Sequence, residues 1–106
     1  KEAGAKRYIP LKVSGAFHSP FMEPAKSAFE AFLAEFALKD PKLPVISNVE
    51  AKPYAPGNIQ QLLAEQITSP VRWVESISLM NQEPDAVFAE IGPGNVLKGL
   101  LRQILR

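Results

Sequence analysis

Apolar and polar positions follow two different periods along the chain, and the shorter period predicts three strands. Residues 8–14 alternate between apolar and polar side chains, which is typical of a strand, and Pro10 restricts that strand to a sheet edge or a bend. Residues 44–49 and 86–91 are short apolar runs of the kind that a sheet buries on both faces. Because three strands alone leave sheet edges open, we expect the rest of the sheet to lie elsewhere.

The longer, helical period predicts four helices, at about 19–38, 58–67, 69–80 and 96–105. Ser19 is the expected N-cap of the first helix, and Asn58, followed by Gln61, gives a capping-box pattern for the second. Strands that alternate with helices favour an α/β architecture with parallel pairing. An aromatic stripe on the first helix is expected in the core: Phe29, Phe32 and Phe36.

Length and composition limit the chain to one globular domain, or part of one. A net charge of +1, from interspersed acids and bases, gives no electrostatic footprint for nucleic acid or for a membrane surface. No stretch approaches the roughly 18 apolar residues of a membrane span and no secretory signal opens the chain, which fits a cytoplasmic location. The chain begins K-E-A-G-A-K-R without a methionine, so we expect a fragment.

His18 is the single histidine of the chain and the main candidate for chemistry. A lone histidine is usually a loop residue whose ring bonds to the backbone. This one lies where a predicted strand ends and a helix begins, which is where α/β folds place active groups. An imidazole there is able to take a proton from a serine or thiol and return it to a leaving group. Ser19 is adjacent to it and no G-x-S-x-G motif occurs, so the nucleophile for such a base would lie outside the chain.

The other polar candidates carry weaker signals. The G-P-G turn at 92–94 opens a helix and either cradles a phosphate through backbone N–H groups or serves turn geometry alone. Asn48 and Gln66 are isolated amides, a class that more often caps helices than catalyses. The absence of cysteine excludes disulfides and thiolate ligands, and with one histidine we expect no metal site and no cofactor.

Four motifs together carry a resemblance to a known family: I-P-L-K-V-S-G-A-F-H-S-P-F-M, P-V-I-S-N-V, E-Q-I-T-S-P-V-R-W and E-I-G-P-G-N-V-L. In this order and spacing they resemble the C-terminal third of malonyl-CoA:acyl carrier protein transacylases, to which polyketide synthase acyltransferase domains are related. The resemblance implies the C-terminal part of an α/β-hydrolase-like acyltransferase core. It assigns residues 1–14 to the end of an inserted ferredoxin-like subdomain and residues 15–106 to the core.

The same resemblance implies an activity and its partners. Such enzymes move a malonyl group from malonyl-CoA to the phosphopantetheine thiol of an acyl carrier protein, in fatty acid or polyketide synthesis, through an acyl-serine in an upstream G-H-S-x-G motif. The N-terminal remainder of the same enzyme is therefore an implied partner. By match, His18 is the catalytic base and the main-chain carbonyl of Gln66 accepts its imidazole N–H. Phe17 flanks the acyl pocket and Asn48 lies near the substrate.

Two other functions stay open on the residues alone. A chain without its nucleophile is compatible with a non-catalytic fragment that binds a carrier protein or coenzyme A. A serine–histidine pair is equally able to pass the acyl group to water, which would make the whole protein a thioester hydrolase.

The malonyl-selective signature of the related polyketide domains ends in A-F-H, as this chain does at residues 16–18. The chain departs from that signature at Gly15, where the signature has histidine.

Overall fold

Four α-helices and one short 3₁₀ turn make up the regular structure of residues 3–105, the range that the computed structural model describes. The 3₁₀ turn and the helices follow in the order Pro20–Met22, α1 at Glu23–Leu33, α2 at Ile59–Glu65, α3 at Trp73–Met80 and α4 at Val96–Ile104. Residues 1, 2 and 106 lie outside the described residues. They are the first residues of the expected subdomain segment 1–14 and the last residue of the expected core segment 15–106.

The three expected strands do not form within residues 3–105. The pairing found there is an isolated antiparallel bridge between Ile46 and Pro53, flanked by a bond from the Ser47 N–H to the Lys52 carbonyl at 2.9 Å. Segments 8–14 and 86–91 form no strand, and most of their apolar side chains are exposed. A strand needs a second backbone for its hydrogen bonds, whereas a helix makes its own, so these segments stay unpaired where no neighbouring strand is present.

The first helix is shorter than its hydrophobic period predicts. α1 begins at Glu23, which leaves Pro24 in the first turn where its missing N–H costs no helical bond. It ends at Leu33, and the side chain of Gln60 binds the chain just after this end: its Nε2 donates to the carbonyls of Leu33, at 2.9 Å, and of Phe36, at 2.6 Å. The long side chain of Gln60 thus adds a second donor to the Leu33 carbonyl, which also accepts the Phe36 N–H at 3.0 Å, and supplies a donor to the Phe36 carbonyl.

Neither expected N-cap is formed by its side chain. Asn58 precedes α2, but its φ of −109° and ψ of 6° are not the extended geometry of a cap, and its side chain makes no capping bond. Gln61 donates instead to the Glu65 carboxylate at 2.9 Å, so the capping-box prediction is wrong. Ser19 has an extended backbone, yet its hydroxyl bonds backwards to the Ala16 carbonyl at 2.6 Å rather than forwards to the 3₁₀ turn.

The core of the described residues is small and lies mainly where α1 meets α2. Its buried apolar side chains are Leu33, Leu62, Ala64 and Ile77. The aromatic stripe does not join this core as expected, since the rings of Phe32 and Phe36 pack in a tilted arrangement with centroids 5.0 Å apart and both residues remain about half exposed. Many large apolar side chains therefore keep contact with solvent, among them Val87, 93% exposed, and Ile91, 98% exposed.

Candidate active site

His18 is held at two points by the carboxyl end of α2. Its backbone N–H donates to the Ile67 carbonyl at 3.1 Å, and its ring Nδ1 lies 2.9 Å from the Gln66 carbonyl oxygen. Carbonyls at a helix end have no partner within the helix, so they are free to accept these bonds. Two consecutive carbonyls thereby set both the backbone and the ring of His18.

The partner of the ring decides its tautomer. A carbonyl oxygen only accepts, so the short contact with Gln66 requires the hydrogen to be on Nδ1. In the neutral ring this leaves the Nε2 lone pair free to accept a proton from another group. The acceptor is a neutral carbonyl, whereas the histidine of a Ser-His-Asp triad donates to a carboxylate.

The backbone of His18 adopts a left-handed conformation, with φ of 62°. A residue with a Cβ occupies this region uncommonly, although histidine is several-fold enriched there. Such a conformation costs of the order of 1–3 kcal/mol and persists only when its surroundings enforce it. The bonds from His18 to the end of α2 are part of that enforcement.

A cavity of about 300 Å³ adjoins the ring. Its lining residues are Phe17, His18, Met22, Ala25, Gln66 and Ile67. The structure therefore brings three of the four predicted site residues together, Gln66 through its main chain. Phe17 is 55% exposed, and its ring lies 3.9 Å from the position that a Cβ on Gly15 would occupy.

Asn48 does not line this cavity. It belongs to a turn that Arg72 attaches to the start of α3: the Arg72 N–H donates to the Asn48 carbonyl at 3.2 Å, and the guanidinium donates to the Glu50 carbonyl at 3.1 Å. The guanidinium also forms an ion pair with Glu75, and this hydrogen bond lowers the pKa of Glu75. Sequence reasoning missed Arg72, although an Arg–Glu pair three apart at a helix start was a usable signal.

The G-P-G turn serves geometry rather than phosphate binding. Gly92 and Gly94 have φ of 127° and 85°, values that side chains rarely adopt. The amino end of α4 is occupied by a carboxylate, because Glu90 Oε1 accepts the Leu97 N–H at 2.8 Å. A negative charge already satisfies the position that a phosphate would take.

No helix in the described range is long and apolar enough to cross a membrane. Within the same range, no group of three or more His, Cys, Asp or Glu side chains is arranged to hold a metal ion.

Comparison with known proteins gives a consistent set of relatives, although no family model matches the sequence. The chain is 51% identical over 96 residues to the polyketide biosynthesis malonyl CoA-acyl carrier protein transacylase PksC of Bacillus subtilis, which covers 91% of this chain and 33% of PksC. It is 48% identical over 107 residues to the malonyl CoA-acyl carrier protein transacylase of the same organism, which covers 100% of this chain and 34% of that protein.

The fold gives the same answer. The crystal structure of MCAT from Streptococcus pneumoniae matches with a TM-score of 0.91 at 46% identity, over 97% of this chain and 34% of that one. The chain thus spans about a third of the length of the curated relatives it matches. The relatives named here are malonyl CoA-acyl carrier protein transacylases, one of them of polyketide biosynthesis, and the chain is similar over nearly its whole length to about one third of such an enzyme.

Proposed function

We propose that the protein containing this chain transfers a malonyl group from malonyl-CoA to the phosphopantetheine thiol of an acyl carrier protein, with His18 as its general base and acid. The observation that carries the proposal is the 2.9 Å contact between His18 Nδ1 and the Gln66 carbonyl, which leaves Nε2 free beside a cavity. The names of the relatives supply the substrates, since they are malonyl CoA-acyl carrier protein transacylases.

The reaction divides into two acyl transfers. A serine on the N-terminal remainder of the same enzyme attacks the malonyl thioester carbonyl while Nε2 of His18 takes the serine proton. The C–S bond then breaks, and Nε2 returns the proton to the coenzyme A thiolate. In the second half Nε2 takes the proton of the carrier thiol, the new thioester forms, and the serine oxygen leaves with that proton.

Gln66 acts in this scheme through its main chain. Its carbonyl binds Nδ1–H, a hydrogen that the ring keeps in both its neutral and its cationic form. The contact therefore holds the ring in one orientation while Nε2 gains and loses protons. Because the acceptor is neutral, it fixes the tautomer without placing a second charge in the site.

Phe17 and Asn48 are proposed substrate-binding residues. We expect Phe17 to crowd the α-carbon of the bound acyl group, and the proposal is supported by Phe17 and His18 lining the same cavity. Asn48 is assigned by resemblance alone. The Arg72 N–H binds the carbonyl of Asn48, and Asn48 does not line the cavity beside His18. A contact between Asn48 and the substrate would therefore lie outside that cavity.

We also propose that residues 1–14 end a small ferredoxin-like subdomain and that residues 15–106 belong to an α/β-hydrolase-like core. The exposed apolar segments support this, because Val87 and Ile91 are almost fully in contact with solvent in a run that reads as a buried strand. The N-terminal remainder of the enzyme would pair with these segments. The relatives, about three times as long, have the length to supply it.

The test compares His18→Ala with Gln66→Ala in the whole enzyme, measured by transfer of labelled malonyl from coenzyme A to a carrier protein. His18→Ala should lower transfer by two to four orders of magnitude, about the contribution of a positioned general base. Gln66→Ala keeps its carbonyl and should cost far less. Equal losses would contradict the main-chain role of Gln66, and full transfer by His18→Ala would overturn the proposed function.

Hydrolysis is separated from transfer in the same assay. Free malonate released from malonyl-CoA without a carrier protein measures the hydrolase activity, and malonyl-carrier product measures transfer. We expect product to exceed malonate; the reverse would identify a thioester hydrolase.

A further inference from the structure

Ser19 makes a hydrogen bond that the proposed reaction does not use. Its Oγ donates to the Ala16 carbonyl at 2.6 Å, so the hydroxyl spans Phe17 and His18 and closes the turn that carries them. Ser19 is partly buried, and its side chain makes no capping bond to the following 3₁₀ turn. The bond therefore acts on the turn before Ser19 and not on the helix after it.

His18 lies inside this closed turn in its left-handed conformation. Its bonds to Ile67 and Gln66 attach the turn to α2 from one side. The Ser19 hydroxyl holds the turn internally. It is the one of these contacts that a substitution can remove while leaving His18 and the carbonyls of α2 in place.

We propose that Ser19 is a positioning residue, which keeps the backbone of His18 left-handed so that Nε2 faces the reacting serine and thiol. The proposal rests on the proposed role of His18 as the base. Without the hydroxyl the turn populates other conformations. The fraction of enzyme molecules with a correctly placed His18 ring is then smaller. The loss of a correctly placed base appears in kcat, and any displacement of Phe17, which the same turn carries, appears in KM.

The experiment compares Ser19→Ala, Ser19→Thr and Ser27→Ala in the whole enzyme. Ser19→Ala should lower kcat by about 2- to 13-fold, the factor for one net hydrogen bond. Ser19→Thr should restore kcat, since threonine keeps the hydroxyl and suits the extended backbone of residue 19, with φ of −136° and ψ of 163°. Ser27 is exposed on α1, so Ser27→Ala removes a hydroxyl without touching the turn and should leave kcat unchanged.

Three results would overturn the proposal. An unchanged kcat in Ser19→Ala would mean that the hydroxyl does not hold the turn, and an equal loss in Ser19→Thr would mean that the bond is not what matters. A loss of three or more orders of magnitude would make Ser19 a reacting group. If Ser19→Ala fails to fold, Ser19→Cys replaces it: the weaker thiol donor should lower kcat at a normal melting temperature, and full kcat would again refute the role.

The failure of this inference is distinguishable from failure of the proposed function. If His18→Ala abolishes transfer while Ser19→Ala has the kcat of the wild type, the base is correct and only the positioning role is wrong. If His18→Ala transfers malonyl normally, both are wrong.

Discussion

Replacing His18 by glycine and by alanine separates the cost of its left-handed backbone from the loss of its ring. Both variants lose the bond from Nδ1 to Gln66, but only alanine keeps a Cβ at φ of 62°. A Cβ is disfavoured there by about 1–2 kcal/mol. Glycine has more freedom in the unfolded chain, which offsets about 0.4–1 kcal/mol of that difference. We therefore expect His18→Ala to be less stable than His18→Gly by about 1 kcal/mol.

Thermal unfolding of the whole enzyme measures this difference, which corresponds to about 1–2 °C for a protein about three times as long as this chain. Ser27 is the matched control because it lies inside α1, where glycine is less stable than alanine by about 0.5–1 kcal/mol. The order of the two variants should therefore be inverted at position 27. Equal melting temperatures for the two His18 variants, or the same order at both positions, would refute the left-handed backbone.

Three further predictions test other parts of the molecule. Phe17→Ser in the whole enzyme should relax discrimination against methylmalonyl-CoA by no more than about 10- to 200-fold, the contribution of one methyl group in an apolar pocket. The measurement is kcat/KM for malonyl-CoA and for methylmalonyl-CoA, and an unchanged ratio of the two would contradict a place for Phe17 in the pocket. The 106-residue chain alone should bind a hydrophobic dye, lack a cooperative melt and transfer no malonyl, because its apolar segments are exposed and the proposed serine nucleophile is not among its residues. A cooperative melt with activity would contradict this. The hydrogen bond from Arg72 lowers the pKa of Glu75, so this pair stabilises the fold above the ordinary pKa of 4.5, and the stabilisation is lost as the pH falls through the lower pKa of the folded state. Glu75→Gln should reduce the dependence of the melting temperature on acid pH, and an unaltered dependence would show that the pair contributes nothing.

The helices show what the sequence predicted and what the structure added. Hydrophobic period alone placed the four helices, and it placed α4 to within about a residue, because helical hydrogen bonds and the apolar face are both local in the chain. The structure differs at the start of α3, which is Trp73 rather than Ser69, and at the end of α1, which is Leu33. Residues distant in the sequence bind the backbone at both places, since Gln60 donates to the Leu33 carbonyl and the Arg72 N–H donates to the Asn48 carbonyl.

The candidate site was also predicted only in part from the sequence. The sequence by itself singled out His18, since it is the only imidazole and lies at a junction between predicted elements. Its pairing with the Gln66 carbonyl was expected through resemblance to a family, not through any period, because the two residues are 48 positions apart.

Only the tertiary structure decided the left-handed backbone of His18, the bond from Ser19 to Ala16 and the attachment of the Asn48 turn to Arg72. The same is true of the strands. The sequence determined which segments are apolar enough to be strands, but a strand exists only where a second backbone takes its hydrogen bonds. Helices form from local bonds, whereas strands and catalytic contacts need residues that the chain must bring together from a distance.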